Sequence, residues 1–127
     1  MRVFLVRHAE AAPGDPDELR PLTEAGRATA RLLGERLAAE PLDAIVSSPL
    51  LRARETAERI AKPAQLVPET DARLAPGADA QALREAVAGR GATVVAVGHQ
   101  PDCTEIVLAL TGEQVPFAPG ALVEVEL

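Results

Sequence analysis

The chain has 127 residues, a length that one domain fills, and 47% hydrophobic against 25% charged residues is the balance of a folded globular protein. Thirteen Lys+Arg against nineteen Asp+Glu give a formal charge of −6, which argues against a nucleic-acid or anionic-membrane binder, because both depend on positive charge. Apolar runs are too short to span a bilayer, the N-terminus has no signal-peptide layout, and one cysteine allows no internal disulfide, so a cytoplasmic protein is expected.

In chain order, Val3-Phe4-Leu5-Val6 reads as a short buried strand. Residues 11–22 hold Pro13, Gly14, Pro16 and Pro21 and read as a loop. Thr23 is placed to cap a helix running to about Glu40, with Ala25, Ala28, Leu32, Leu33 and Leu37 at helical spacing. Ala44-Ile45-Val46 is a second strand. Ser48-Pro49 predicts a helix start, with Leu50, Ala53, Ala57 and Ile60 on one face and Pro63 as the stop. Gln65-Leu66-Val67 is a candidate third strand, and Leu74 to Asp79 a turn region. Ala80 to Ala88 reads as a helix ended by Gly89 and Gly91. Thr93 to Val97 is the clearest buried strand, and Pro101 opens a last helix with Asp102 and Glu105 in its first turn. Leu122 to Leu127 alternates as an edge strand would, and is the one expected to run antiparallel. Strand alternating with helix implies a single domain over residues 1–127: an α/β fold, a three-layer αβα sandwich with a mostly parallel central sheet.

Several chemistries are missing from the chain. There is no G-x-x-x-x-G-K-[ST] phosphate loop, and Ala109 stands where a cysteine phosphatase would need arginine after Cys103. Two histidines and one cysteine are too few for a structural zinc site, so no metal and no cofactor are expected. What remains is a pattern of placement. Arg7-His8 follows the first strand, Arg52 lies early in the helix after the second, and His99 follows the Thr93–Val97 strand. Ligands of an open parallel sheet bind at the carboxyl ends of its strands. Two guanidiniums and two imidazoles there make a compact site for a dianion such as phosphate. Singly, each histidine reads as an ordinary loop residue; the joint placement carries the argument. Arg52 adds to it, because a cation near the positive end of a helix dipole needs a compensating anion.

Arg7-His8-Ala9 resembles the opening motif of the histidine phosphatase superfamily. Ser47-Ser48-Pro49-Leu50-Leu51-Arg52-Ala53 with Thr56-Ala57 is similar to its second motif, and Gly98-His99-Gln100-Pro101 to its third. Asp17 through Gly26, the Leu74-Ala75-Pro76-Gly77 segment and the tail extend the resemblance towards the phosphohistidine phosphatases. It implies a phosphoglycerate mutase-like fold in a minimal version without a cap. It also implies a metal-independent, covalent mechanism, with His8 as nucleophile and Arg7, Arg52 and His99 binding the phosphoryl oxygens. Arg20 is a further candidate for contacting phosphate or a partner.

One departure from the pattern directs the reading. Many relatives carry a glutamate that protonates the leaving oxygen; by alignment that position is Pro76. Asp71 and Asp79 are the nearest acids and the candidates for a general acid, with turn and helix-cap duty as the alternative for each. An alkoxide needs a proton in the transition state, whereas the imidazole of a phosphohistidine can leave already protonated. The expected substrate is therefore a histidine-phosphorylated protein, such as a phosphotransfer domain or phosphocarrier, with inorganic phosphate as product. The alternatives are a phosphomonoesterase on a small sugar phosphate, nucleotide or cofactor precursor, and a phosphate- or phosphoprotein-binding module without turnover. Ser47 and Ser48 read as turn and cap residues, and Cys103 as a small buried side chain.

Overall fold

The computed structural model describes residues 1–127. Its strands are β1 (Arg2–Arg7), β2 (Ala44–Ser47), β3 (Glu69–Thr70), β4 (Thr93–Gly98) and β5 (Leu122–Glu126). Its helices are α1 (Glu24–Leu37), α2 (Leu51–Ala64), α3 (Ala80–Val87) and α4 (Asp102–Thr111), with single 3-10 turns at Asp17–Leu19 and Ala72–Leu74. The sheet order is β3-β2-β4-β1-β5, parallel throughout except for β5, which pairs antiparallel with β1. This is the expected three-layer α/β architecture.

The unbroken apolar runs of β1 and β4 have a direct cause: both faces of the sheet are covered. Val3, Leu5, Val94 and Ala96 point to one side, where Leu83 and Val87 of α3 and Ile106 and Val107 of α4 pack on them. Phe4, Val6, Val95 and Val97 point to the other, against Leu33 and Leu37 of α1 and Ala53, Ala57 and Ile60 of α2. β5 is half-wet, and its Glu124 pairs with Arg2 across the edge at 3.1 Å, a charged edge of the kind that discourages further strand pairing. No helix is long and apolar enough to cross a membrane.

Four boundaries differ from the sequence expectation, each for a local reason. Leu50, with extended backbone, is the cap position of α2, so the helix starts beyond Pro49. The Ser48 hydroxyl accepts from the Leu50 N–H at 3.2 Å while also facing His99, which holds the intervening segment out of the helix. Pro63 does not stop α2. It sits in the last turn, which continues to Ala64 and closes with Gln65 at φ 57°. The third strand is not Gln65–Val67, because Gln65 caps the helix and Val67 is exposed; pairing with β2 begins at Glu69, after Pro68. The first helix ends at Leu37 rather than Glu40.

The 11–22 loop is anchored at its base. Ala11 and Leu22 form an isolated antiparallel bridge, and the Leu22 N–H donates to Glu55 of α2 at 2.8 Å. Gly26 then packs directly on the backbone of Glu10: a Cβ there would lie 2.1 Å from the Glu10 carbonyl oxygen, so only glycine fits. The close approach of α1 to the segment after β1 that results fixes both ends of the loop near the carboxyl end of β1.

Candidate active site

The carboxyl ends of β1 and β4 are in register, with Val6 opposite Val97 and Arg7 opposite Gly98. The next residue on each strand is therefore a histidine beside a histidine. The ring centroids of His8 and His99 lie 5.2 Å apart with the planes tilted by 58°. They open into a pocket of about 310 Å³ lined by Arg7, His8, Asp17, Arg20, Arg52, Pro76, His99 and Gln100. The structure thus brings together Arg7, His8, Arg52, His99 and Arg20, all five of the residues singled out for phosphate from the sequence.

Each side chain is held in a definite state. His8 Nδ1 lies 2.7 Å from the carbonyl oxygen of Ala9. A carbonyl can only accept, so Nδ1 carries the proton and neutral His8 keeps its lone pair on Nε2. Burial pushes the His8 imidazole down from its ordinary 6.5 to about 4, Arg52, Arg7 and Arg20 add to this, and the Ala9 carbonyl opposes it. His99 is likewise lowered to about 4, by burial first and then by His8, Arg52 and Arg7. Its Nε2 sits 2.7 Å from the Ser48 hydroxyl. Arg7 donates from Nη1 to the Phe117 carbonyl at 2.9 Å. Two buried nitrogens of pocket residues, Arg7 Nε and His99 Nδ1, have no partner. An unsatisfied buried polar group costs about 1–3 kcal/mol, a debt that acceptor oxygens of a phosphoryl group are suited to remove.

Arg52 is 7% exposed and answers its helix dipole problem with Asp17. Its Nη1 donates to the Asp17 carbonyl at 2.9 Å and its Nη2 to the Asp17 carboxylate at 3.2 Å. Arg20 donates to the other carboxylate oxygen at 3.1 Å and to the Ala12 carbonyl at 2.8 Å. The Asp17 carboxyl is held below its usual range by Arg20 and then Arg52, with desolvation opposing. Asp17 is the pocket residue that the sequence reading missed as a site member. An arginine at a helix start called for a nearby anion, but the sequence did not say which carboxylate supplies it. Gln100 was missed too; its amide is turned back to Thr104 of α4, donating at 2.8 Å and accepting at 2.9 Å.

The two candidate general acids lie elsewhere. Asp71 accepts from Arg73 at 2.8 Å and faces Arg90 at 3.5 Å, and Arg73 above all holds its carboxyl down at about 2. Asp79 caps α3 by accepting from the Ala82 N–H at 2.8 Å. Neither lines the pocket, and Pro76 does. Behind Pro76, the buried Asp102 carboxylate accepts from the N–H groups of Gly77 at 2.9 Å and Ala78 at 3.2 Å, pinning that wall to α4. A broader groove between α1 and α2 is lined by charged residues of both signs, among them Glu35, Glu58, Arg59 and Lys62, and holds no histidine.

The lowered imidazoles make stability depend on pH. In the unfolded chain both histidines take up protons near 6.5, whereas the folded chain refuses them until about 4. Unfolding therefore binds protons in that window, and stability is full above it and falls as pH drops through it. Each displaced pKa unit is worth about 1.4 kcal/mol. Thermal melts from pH 8 to pH 4 are expected to show a level midpoint above 7 and a steep fall below 6.5. A His99→Gln variant should show a shallower fall, and an equal slope in both proteins would count against the burial of this imidazole.

The sequence and the fold are similar to those of known proteins. The family model of the histidine phosphatase superfamily, branch 1, matches residues 3–76. An uncharacterized protein of Picosynechococcus sp. strain PCC 7002 is 40% identical over 116 residues, covering 83% of this chain and 70% of that protein. The structure of the protein histidine phosphatase SixA complexed with tungstate superposes with a TM-score of 0.88 at 30% identity, covering 100% of this chain and 88% of that one. A candidate SixA phosphohistidine phosphatase from Agrobacterium tumefaciens gives a TM-score of 0.83 at 27% identity, over 97% of this chain and 88% of that one. With the family model matching more than half of the chain, the chain belongs to the histidine phosphatase superfamily.

Proposed function

We propose that this protein is a phosphohistidine phosphatase that works through a covalent intermediate on His8. The observation that carries the reading is the pocket's acid inventory. Its one carboxylate, Asp17, is clamped by Arg20 and Arg52 and kept ionised, and proline occupies the wall at position 76. An oxygen leaving group would depart as an alkoxide with no proton donor at hand. A protonated imidazole leaving group needs none.

The chemistry then follows from the geometry. The Nε2 lone pair of His8 attacks phosphorus while the N–P bond of the substrate breaks, and the substrate imidazole leaves carrying its own proton. His8 Nδ1–H stays on the Ala9 carbonyl throughout, so the ring neither rotates nor changes tautomer. Arg7, Arg52 and His99 stabilise charge on the equatorial oxygens, with Arg20 at the rim. Water next attacks the phosphorus on the opposite side, the Nε2–P bond breaks, and inorganic phosphate leaves with His8 neutral again. An open pocket without a cap suits a phosphorylated side chain presented by a phosphotransfer domain or phosphocarrier. A cytoplasmic place of action fits a chain whose single cysteine, Cys103, is free.

The test is a paired turnover assay: a histidine-phosphorylated phosphotransfer domain in one arm and a panel of phosphomonoesters in the other. Rapid loss of phosphohistidine with feeble ester hydrolysis is expected. Efficient ester hydrolysis with an inert phosphoprotein would overturn the reading.

A further inference from the structure

The second histidine poses a problem of direction. A neutral imidazole has one donor and one acceptor nitrogen, and only the donor helps against a phosphoryl oxygen. His99 Nε2 is committed to Ser48, so any bond from this ring to a ligand is made by Nδ1, the nitrogen that is buried without a partner. Which nitrogen holds the proton is therefore decided at the Ser48 end.

We propose that Ser48 is a positioning residue that fixes His99 in its Nδ1–H tautomer by donating its hydroxyl proton to Nε2. The inference rests on the phosphoryl-transfer reading of the pocket. The hydroxyl already accepts from the Leu50 N–H at 3.2 Å, and it is fully buried. Its proton needs an acceptor, and the one it meets is His99 Nε2 at 2.7 Å. The reverse arrangement, with Nε2–H donating to the hydroxyl, would orphan two groups: the hydroxyl proton and the Nδ1 lone pair. The proposed arrangement orphans one, Nδ1–H, and a phosphoryl oxygen satisfies that one. The fold fixes the position of the serine: its N–H is bound to the Val97 carbonyl at 3.0 Å, which ties the Ser48 backbone to β4, and its hydroxyl is held between the Leu50 N–H and His99 Nε2. The delayed start of α2 is the local cost of holding Ser48 in this place rather than as a helix cap.

The two histidines of this chain make the test direct. Long-range proton–nitrogen correlation spectra of the uniformly ¹⁵N-labelled full chain, with His8→Gln to assign the rings, read each tautomer without any substrate. His99 is expected as Nδ1–H, with the Nδ1 resonance moving on addition of inorganic phosphate. Ser48→Ala is expected to shift His99 towards Nε2–H and to lower kcat about ten- to a hundredfold, part of what a lost oxyanion donor costs. Ser48→Thr, which keeps the hydroxyl, should restore the tautomer and most of the rate. A wild-type ring protonated on Nε2 would overturn the proposal, and so would a Ser48→Ala protein that keeps Nδ1–H, whatever its rate. If the tautomer behaves as expected but no phosphohistidine is turned over by the wild type, it is the functional reading that fails and not the role of Ser48.

Discussion

Replacing His8 with alanine is expected to lower kcat on a histidine-phosphorylated protein by a factor on the order of 10⁴ or more, the scale seen when a covalent nucleophile is removed. The argument is chemical rather than positional. In the proposed reaction His8 Nε2 supplies the electron pair that accepts the phosphoryl group, and the other imidazole lining the pocket is His99. His99 cannot take over, since its Nε2 is bonded to Ser48. The measurement is a rapid-quench experiment with ³²P-labelled phosphoprotein. Wild type should show transient protein-bound label that is stable in base and lost in acid, as a phosphoramidate is; His8→Ala should show none. A His8→Asn variant, which keeps a polar group of similar reach, guards against a folding artefact. Wild-type turnover in either variant would place the nucleophile elsewhere.

Arg52→Ala is the second large effect, expected to cost about 10³-fold in kcat/KM, within the range found when a guanidinium is removed from a phosphoryl-transfer site. Arg52 is buried, charged and forked, so the loss combines transition-state charge with pocket architecture. Arg52→Lys separates the two. It keeps the charge but cannot bond both the carbonyl and the carboxylate of Asp17 while facing phosphate, and it should recover less than a tenth of the lost activity. Steady-state kinetics on the phosphoprotein decide this, with a full recovery by lysine contradicting the bidentate role.

Much of this was legible because the physics is local. The apolar runs at Val3–Val6 and Thr93–Val97 forecast strands covered on both faces, and the residues after them fall at the sheet's carboxyl edge by topology alone. Arg7, His8, Arg52 and His99 could therefore be grouped before any coordinates. What stayed hidden depends on contacts across the chain. Nothing in the composition of the 11–22 loop says that Asp17 folds onto Arg52, 35 residues away. Ser48 carries an ordinary cap signature, and only the tertiary approach of His99 diverts it. The third strand was misplaced by the same logic: Leu66 and Val67 are as apolar as a strand needs, but the left-handed Gln65 and the following Pro68 leave them no pairing geometry. Asp71 and Asp79 looked available as acids because their partners, Arg73, Arg90 and the start of α3, are invisible without packing.

The in-register descent of the two histidines from neighbouring inner strands has a consequence for how the molecule can change. β1 is hydrogen-bonded on both sides, to β4 and to β5, and β4 lies between β1 and β2. The reacting pair therefore inherits the most protected part of the fold, the part whose amides exchange only when the whole sheet comes apart. Asp17 and Arg20 ride instead on a surface loop stapled at its two ends. The histidine pair is held independently of that loop, whereas Arg52 is tied to it through Asp17: a loop rewritten to suit a different phosphorylated protein would leave the histidine spacing intact but would have to keep Asp17.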